Sequence, residues 1–100
     1  MRIGYTDGND CDFTIVISDD SQKDKAIECI EKGISAWYCA ANPEDYDDDA
    51  FTKKEVEGFY WEGYAEPTCE LLERAGIKYE LVEDEYDEDG RRIVDEIVNG

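Results

Sequence analysis

The 100-residue sequence has no histidine and only ten lysine and arginine residues. Without histidine, the chain lacks the usual general base and the usual partner of a nucleophilic serine or cysteine. Its eight glycines form no phosphate-binding loop, and no two of its many carboxylates stand out as a glycosidase pair. We therefore predict a protein that is not an enzyme and that needs no cofactor.

Long apolar segments and paired cysteine motifs are also missing. No apolar stretch approaches the roughly 18 residues that a membrane-spanning helix requires, and an acidic surface is repelled by anionic lipid. The cysteines, at Cys11, Cys29, Cys39 and Cys69, form no CxxC pair, match no zinc knuckle or ribbon, and follow no signal peptide. We expect mostly buried, reduced thiols in a cytoplasmic protein with no membrane partner. A disulfide scaffold is the alternative.

Negative charge is what the sequence has in excess. Twenty-eight Asp and Glu residues give a formal net charge of −18. Residues 1–41 contain eight carboxylates and four basic residues. Residues 42–100 contain twenty carboxylates and six basic residues. Two acidic blocks, residues 44–49 and 83–89, contain eleven of those twenty carboxylates. Each block includes a tyrosine and therefore offers a partner an apolar ring with several arginine acceptors.

The remaining composition predicts a folded chain. Hydrophobic residues make up 41% of the sequence and aromatic residues 12%, unlike a disordered acidic tail. At about 100 residues a domain buries roughly two-thirds of its unfolded surface, which is enough for one core. We expect one compact acidic domain over residues 1–100.

The N-terminal part of the chain predicts a β-hairpin followed by a helix. Residues 2–6 and 13–17 have the pattern of strands and are joined by turn-forming residues. The helix begins near residues 19–21, where side chains suited to an N-cap occur. Gly33 inside this helix marks either a close packing contact or an early end. The apolar residues at helical spacing are Ala26, Ile27, Ile30, Ile34 and Trp37.

The C-terminal part predicts two further helices and at least one strand. Thr52 and Glu55 have the spacing of a capping box and begin a helix that continues to Tyr64. A third helix extends over residues 67–75, with proline in its first turn and glycine after its end. Apolar residues recur at every second position over residues 77–82, which predicts a strand.

The last segment leaves two alternatives. If Asp89 and Gly90 make a tight turn, residues 92–98 return as a strand, which their β-branched residues favour. The same residues also have the spacing of a short helix. The order of elements predicts an α+β fold, a small single domain with a mostly antiparallel sheet of three or four strands and two or three helices packed on one face.

One acidic segment partly matches the template of a calcium-binding loop. Glu85, Asp87, Asp89, Gly90 and Glu96 occupy template positions 1, 3, 5, 6 and 12. The first position is normally aspartate, and the segment follows a predicted strand where an EF-hand requires a helix. We therefore expect no EF-hand, and we keep these four carboxylates as a candidate for weak calcium binding.

The aromatic run of the predicted second helix contains one candidate interface residue. Phe59 and Tyr60 share the buried face of that helix with Tyr64, whereas Trp61 points elsewhere. Because exposed aromatic residues often anchor interfaces, Trp61 is a candidate anchor.

The charge favours a protein partner over direct binding to nucleic acid. Duplex DNA carries a negative charge about every 1.7 Å along its axis, so proteins that bind it present lysine and arginine. In size, acidity and lack of catalytic motifs, this chain resembles the small inhibitors that bacteriophages and mobile elements direct against restriction or CRISPR nucleases. Several of those inhibitors are nucleic-acid mimics. The resemblance covers overall character and rests on no shared motif.

We predict a non-enzymatic acidic inhibitor that occupies the basic nucleic-acid-binding surface of a partner protein, such as a nuclease. The alternatives are a small adaptor or subunit that binds through an apolar face, and a calcium-binding protein. The candidate contacts are the carboxylates of the acidic blocks and three aromatic anchors: Asp45, Tyr46, Asp47, Asp48, Asp49, Trp61, Glu83, Asp84, Glu85, Tyr86, Asp87, Glu88 and Asp89.

Overall fold

The computed structural model describes all 100 residues and contains four strands and three helices. The strands are β1 (Arg2–Thr6), β2 (Phe13–Ile17), β3 (Tyr79–Val82) and β4 (Glu96–Asn99), and the helices are α1 (Lys23–Tyr38), α2 (Lys53–Gly58) and α3 (Glu66–Arg74). The strand order is β3-β2-β1-β4. Only the pairing of β1 with β4 is parallel. The predicted α+β fold with a mostly antiparallel sheet is confirmed.

Strands β1 and β2 form the predicted hairpin. The Asp7 carboxylate holds its turn, accepting hydrogen bonds from the backbone N–H groups of Asn9 at 2.8 Å and Cys11 at 3.2 Å. Asp10 adopts a left-handed conformation with φ of 60°, which aspartate tolerates better than most residues. Alternation along the strands directs one set of side chains toward the helices, and this set contains Ile3, Tyr5, Phe13, Ile15 and Ile17.

The helices α1 and α3 cover one face of the sheet. The apolar stripe predicted for α1 contributes Ala26, Ile30 and Ile34 to the main core, and α3 contributes Leu72. Ile3, Ile15, Ile17, Ala26, Ile30 and Leu72 are completely buried. The opposite face of the sheet, called the outer face below, has no helix on it.

Gly33 marks a close packing contact. A Cβ atom at this position would lie 2.6 Å from both the backbone nitrogen and the Cα atom of Thr68 in α3. The helix α1 continues past Gly33 to Tyr38, so the alternative of an early helix end is wrong. The glycine allows α1 and α3 to approach each other closely.

Helix α2 begins as predicted and ends earlier. The Thr52 hydroxyl accepts a hydrogen bond from the Glu55 N–H at 3.1 Å, and the Glu55 carboxylate accepts one from the Thr52 N–H at 2.9 Å. This capping box is confirmed. The helix ends at Gly58 and a 3₁₀ turn, Phe59–Trp61, follows. The predicted continuation to Tyr64 is wrong, because glycines before and after the aromatic run weaken a helix there.

The C-terminal segment forms a strand at an unexpected place. Helix α3 is followed by Gly76 with φ of 72°, as predicted for its C-cap. Strand β3 begins at Tyr79, two residues later than predicted. The strand alternative for the last segment is confirmed for Glu96–Asn99, but β4 pairs with β1 and does not return beside β3.

Candidate protein-binding surfaces

The second acidic block belongs to a connection that crosses the outer face of the sheet. Strands β3 and β4 lie at opposite edges, so residues 83–95, the acidic crossover, pass over β2 and β1. Gly4 of β1 lies beneath this crossover. A Cβ atom on Gly4 would lie 2.9 Å from Cγ1 of Val94 and 3.1 Å from Cζ of Arg92.

Arg92 attaches the crossover to the sheet. Its guanidinium donates hydrogen bonds to the Tyr5 carbonyl at 2.9 Å, to the Phe13 carbonyl at 2.6 Å, and to the Thr14 hydroxyl and the Asp84 carboxylate at 2.8 Å each. The Thr14 hydroxyl in turn donates to Asp84 at 2.6 Å. Arg92 keeps 10% of its side chain exposed and Asp84 keeps 22%. Asp84 therefore serves the fold, and its carboxylate is already paired with a cation.

The tip of the crossover is a small hairpin. The Ile93 N–H donates to the Glu85 carbonyl and the Asp87 N–H donates to the Arg91 carbonyl, both at 2.8 Å. The Asp87 carboxylate accepts from the N–H groups of Asp89 at 3.0 Å and Arg91 at 2.9 Å. Gly90 provides the left-handed residue, with φ of 77°. The tight turn predicted at residues 89–90 is present, and these hydrogen bonds define the backbone of the hairpin.

The crossover leaves most of its carboxylates exposed. Glu83, Glu88 and Asp89 are exposed and make no ion pair, whereas Glu85 lies 3.9 Å from the Arg2 guanidinium. Apolar side chains accompany them on this part of the surface. The exposed fractions of Tyr86, Ile93 and Ile97 are 58%, 43% and 46%. Tyr86 is thus exposed, as an anchor has to be, and the two isoleucines add apolar surface that the sequence reasoning missed.

The first acidic block lies on the helical side of the molecule. Its tyrosine, Tyr46, is only 4% exposed and belongs to a second apolar cluster with residues of α1, α2 and the segment that precedes α2. The surface-anchor role predicted for Tyr46 is therefore wrong, because its ring fills a core. The members of that second cluster are Ala36, Ala40, Tyr46, Phe51, Val56 and Phe59.

The carboxylates of the first block are partly used within the chain. Asp45 accepts from the Asn42 side-chain amide at 2.8 Å, and Asp48 accepts from the Ala50 N–H at 2.9 Å. Asp47 and Asp49 are exposed. The second apolar cluster, on which this block packs, contains no strand residue. The two acidic blocks therefore do not share a face, and a single surface that combines both is not formed.

Aromatic side chains line a groove on the helical side. Trp61 is 83% exposed, as expected, and the exposed fractions of Tyr60 and Tyr38 are 55% and 45%. The burial predicted for Tyr60 is wrong because the 3₁₀ turn directs Phe59, and not Tyr60, into the core. The glycines Gly58 and Gly63, which flank the aromatic run, are the sequence signal that would have indicated this break.

The calcium-loop candidate does not form a site. Nowhere in the chain do three or more acidic or cysteine side chains form a group that could hold a metal ion. Glu85, Asp87 and Asp89 lie along the hairpin of the crossover, whereas Glu96 is on β4 and pairs with Lys23 of α1 at 3.2 Å. The preceding element is strand β3, so the entering helix of an EF-hand is also missing.

Two titratable groups with shifted pKa values connect the first hairpin to α1. The Tyr38 hydroxyl donates a hydrogen bond to the Asp7 carboxylate at 2.5 Å, and Tyr5 donates to the same carboxylate at 2.9 Å. These bonds, with those from the turn N–H groups, lower the pKa of Asp7 to about 2. The bond to Asp7 raises the pKa of Tyr38 to about 12. The network is a structural link between the turn and the end of α1.

The four cysteines are free thiols, and Cys11, Cys29 and Cys69 are buried. Burial raises the pKa of Cys29, Cys39 and Cys69. A raised pKa keeps a thiol protonated, whereas a nucleophile needs the thiolate. Cys11 and Cys29 belong to the main apolar core, and Cys39 packs against the second apolar cluster.

No family model, curated protein or solved structure matches this chain. None of its helices combines the length and the apolar character that crossing a membrane requires. The acidic crossover is the surface from which a function can be inferred.

Proposed function

We propose that the protein is an acidic, non-enzymatic binding module whose acidic crossover occupies a basic, nucleic-acid-binding surface of a partner protein. The observation that carries this proposal is the way the crossover is built. Its exposed carboxylates lie on a segment that Arg92 and the hairpin hydrogen bonds attach to the sheet. Exposed carboxylates on a segment with a defined backbone resemble the phosphates of a nucleic acid more closely than those of a mobile tail would.

The composition of the crossover supports a basic partner. Residues 83–95 contain seven carboxylates and two arginines, and one of these arginines is Arg92, which is paired with Asp84. Arginine and lysine side chains of a nucleic-acid channel would find charged acceptors here. Tyr86 and Ile93 would supply the apolar contact that charged pairs alone lack. The charge would also steer the two proteins together, most strongly at low salt.

The proposal is tested with two variants of equal charge. Glu83, Glu85 and Glu88 are replaced by glutamine in the crossover, and Asp45, Asp47 and Asp49 are replaced by asparagine in the first block. Each immobilised protein is exposed to a cell lysate, and the bound proteins are eluted with duplex DNA. We expect DNA to release bound proteins from the wild type and the first-block variant, and the crossover variant to capture them with an association rate about tenfold lower.

Two results would contradict the proposal. One is equal capture by both variants, since the charge of the crossover would then be irrelevant. The other is capture that duplex DNA does not reverse, because a partner bound through its nucleic-acid surface cannot hold both ligands. Thermal unfolding of both variants controls for the fold.

A further inference from the structure

A cleft of ≈ 380 Å³ lies where the acidic crossover leaves strand β3. This acidic cleft is lined by three separate parts of the chain. They are residues 12–13 at the start of β2, residues 63–66 before and at the start of α3, and residues 81–84 at the end of β3 and the start of the crossover. The cleft therefore combines the first residues of the crossover with a loop and a helix that the crossover itself does not contain.

Part of the lining belongs to the core face of the sheet. Leu81 pairs with Ile15 across the two strands, and residues directly opposite each other share a face of the sheet. Ile15 is completely buried, whereas Leu81 is 48% exposed. The helices therefore leave this part of the core face uncovered. Phe13, Tyr64 and Ala65 extend the apolar lining around Leu81.

Every charged residue of the lining is acidic. Asp12, Glu66, Glu83 and Asp84 line the cleft together with no lysine or arginine. Asp84 is paired with Arg92, whereas the other three carboxylates make no ion pair within the chain. The other clefts that have charged residues in their lining all include at least one lysine. The excess of negative charge therefore distinguishes the acidic cleft from them and favours a cation as its ligand.

The negative charge acts on a group that lines the cleft. The Tyr64 hydroxyl donates a hydrogen bond to the Asp12 carbonyl at 2.8 Å. Burial raises the pKa of Tyr64, and the nearby charges of Asp84 and Asp12 raise it further. The same charges would attract a cation in the cleft, since apolar walls lower the effective dielectric and focus the field of carboxylates that share one sign.

The chemistry of the lining favours one kind of cation. The carboxylates form no group that could hold a metal ion, and a metal ion makes no use of apolar surface. An arginine side chain uses both parts of the lining. Its methylene groups pack on apolar residues, and its planar guanidinium offers five N–H donors to carboxylates and stacks on aromatic rings.

We propose that the acidic cleft receives an arginine side chain of the basic partner, with its methylene groups on Leu81 and its guanidinium near Glu66 and Glu83. The inference rests on the function proposed for the acidic crossover, because a surface that binds nucleic acid presents arginine and lysine. It adds a specific contact to that function. Glu66 lies outside both acidic blocks, so the binding surface extends beyond the residues that the composition of the sequence indicated.

The test uses N-acetyl-arginine amide, whose single charge is on the guanidinium, and NMR of the isotope-labelled protein maps where it binds. We expect saturable chemical-shift changes confined to residues 12–13, 63–66 and 81–84, with a dissociation constant of about 1–10 mM. N-acetyl-citrulline amide has nearly the same shape without the charge, and N-acetyl-lysine amide has the charge without the guanidinium. Each should bind at least about threefold more weakly.

Two variants separate the charge of the cleft from its apolar lining. Glu66→Gln removes one carboxylate, and Leu81→Ala removes apolar contact while every charge stays in place. Each should weaken the binding of the arginine amide about threefold. Glu31→Gln is the matched control and should retain the affinity, because Glu31 is exposed on α1 and lines no cleft. Thermal unfolding of the three variants controls for the fold.

Four outcomes would overturn the inference. They are no saturable binding at about 50 mM arginine amide, shift changes as large in the first acidic block as in the cleft, equal binding of the citrulline or lysine amide, and equal effects of Glu66→Gln and Glu31→Gln.

Capture from the lysate is an independent measurement and separates the two proposals. Capture that duplex DNA reverses, together with failure of the arginine amide to bind, would overturn the inference about the cleft and support the function proposed for the crossover. Localised binding of the arginine amide, together with capture that DNA does not reverse, would support the cleft and contradict that function.

Discussion

Single residues decide how closely the layers of this protein approach each other. Gly33 permits the contact between α1 and α3, and Gly4 permits the crossover to lie on β1. At both positions an alanine would require neighbouring atoms to move. A glycine in a helix or a strand usually weakens that element, so its presence at these positions has to be explained by contacts between elements.

Replacing Gly33 by alanine should lower the free energy of unfolding by about 2 kcal/mol, because contacts of 2.6 Å with backbone atoms place the cost at the upper end of the overpacking range. The added Cβ gains about 1 kcal/mol of helix propensity, but it meets backbone atoms of Thr68 that cannot move without α3, and overpacking of this kind costs about 1–3 kcal/mol or more. Urea unfolding measures the difference.

Gly58→Ala is the matched control, because a Cβ at Gly58 meets no atom within 4 Å and its φ is −62°. That variant should be neutral or more stable by up to about 1 kcal/mol. Equal effects of the two substitutions would mean that the contact between α1 and α3 is not tight.

At the scale of elements, the crossover is the segment on which the proposed function depends. It contains no long regular structure, so its conformation rests on side-chain hydrogen bonds from Arg92 and Asp87. A segment held in this way is expected to loosen as a unit when its main attachment is removed.

Arg92→Met should lower the free energy of unfolding by about 2–4 kcal/mol, since the substitution leaves Asp84 without its cation and removes the guanidinium hydrogen bonds to the carbonyls of Tyr5 and Phe13. Hydrogen exchange at the Asp87 and Ile93 amides should also become faster than in the strands. Arg91→Met, at an exposed neighbouring position, should change stability by less than about 0.5 kcal/mol. A crossover that exchanges no faster in Arg92→Met would show that the backbone alone holds it.

At the scale of the whole molecule, the charge of −18 acts against folding. Ten basic residues neutralise only part of twenty-eight carboxylates, and like charges in a compact domain repel one another. Distribution of the two acidic blocks over different sides of the molecule reduces this repulsion, while it also prevents a single surface of phosphate-like charge.

Raising the salt concentration from 0.05 to 0.5 M should therefore raise Tm. Screening shortens the Debye length to a few Å, and a gain of about 1 kcal/mol corresponds to about 4–8 °C for a domain of this size. Calorimetry measures the shift, and the crossover variant with three glutamines should show a smaller one. An unchanged or lower Tm at high salt would mean that ion pairs outweigh repulsion.

Local patterns in the sequence were sufficient for much of the fold. The first hairpin, the stripe of α1, the capping box of α2 and the glycine after α3 depend on residues close together in the chain, and all four are present. The end of α2 was mispredicted because helical periodicity in the aromatic run outweighed the glycines beside it. The end of the chain was ambiguous because its β-branched residues suit more than one pattern.

What the sequence determined by itself is the class of the fold, the position of most elements and the charge, since these follow from composition and from short-range spacing. Tertiary structure alone decided which residues reach the surface. Pairing of β4 with β1 placed the second acidic block on the outer face, and burial of Tyr46 removed one expected anchor. These outcomes depend on contacts between residues far apart in the chain, which periodicity does not record.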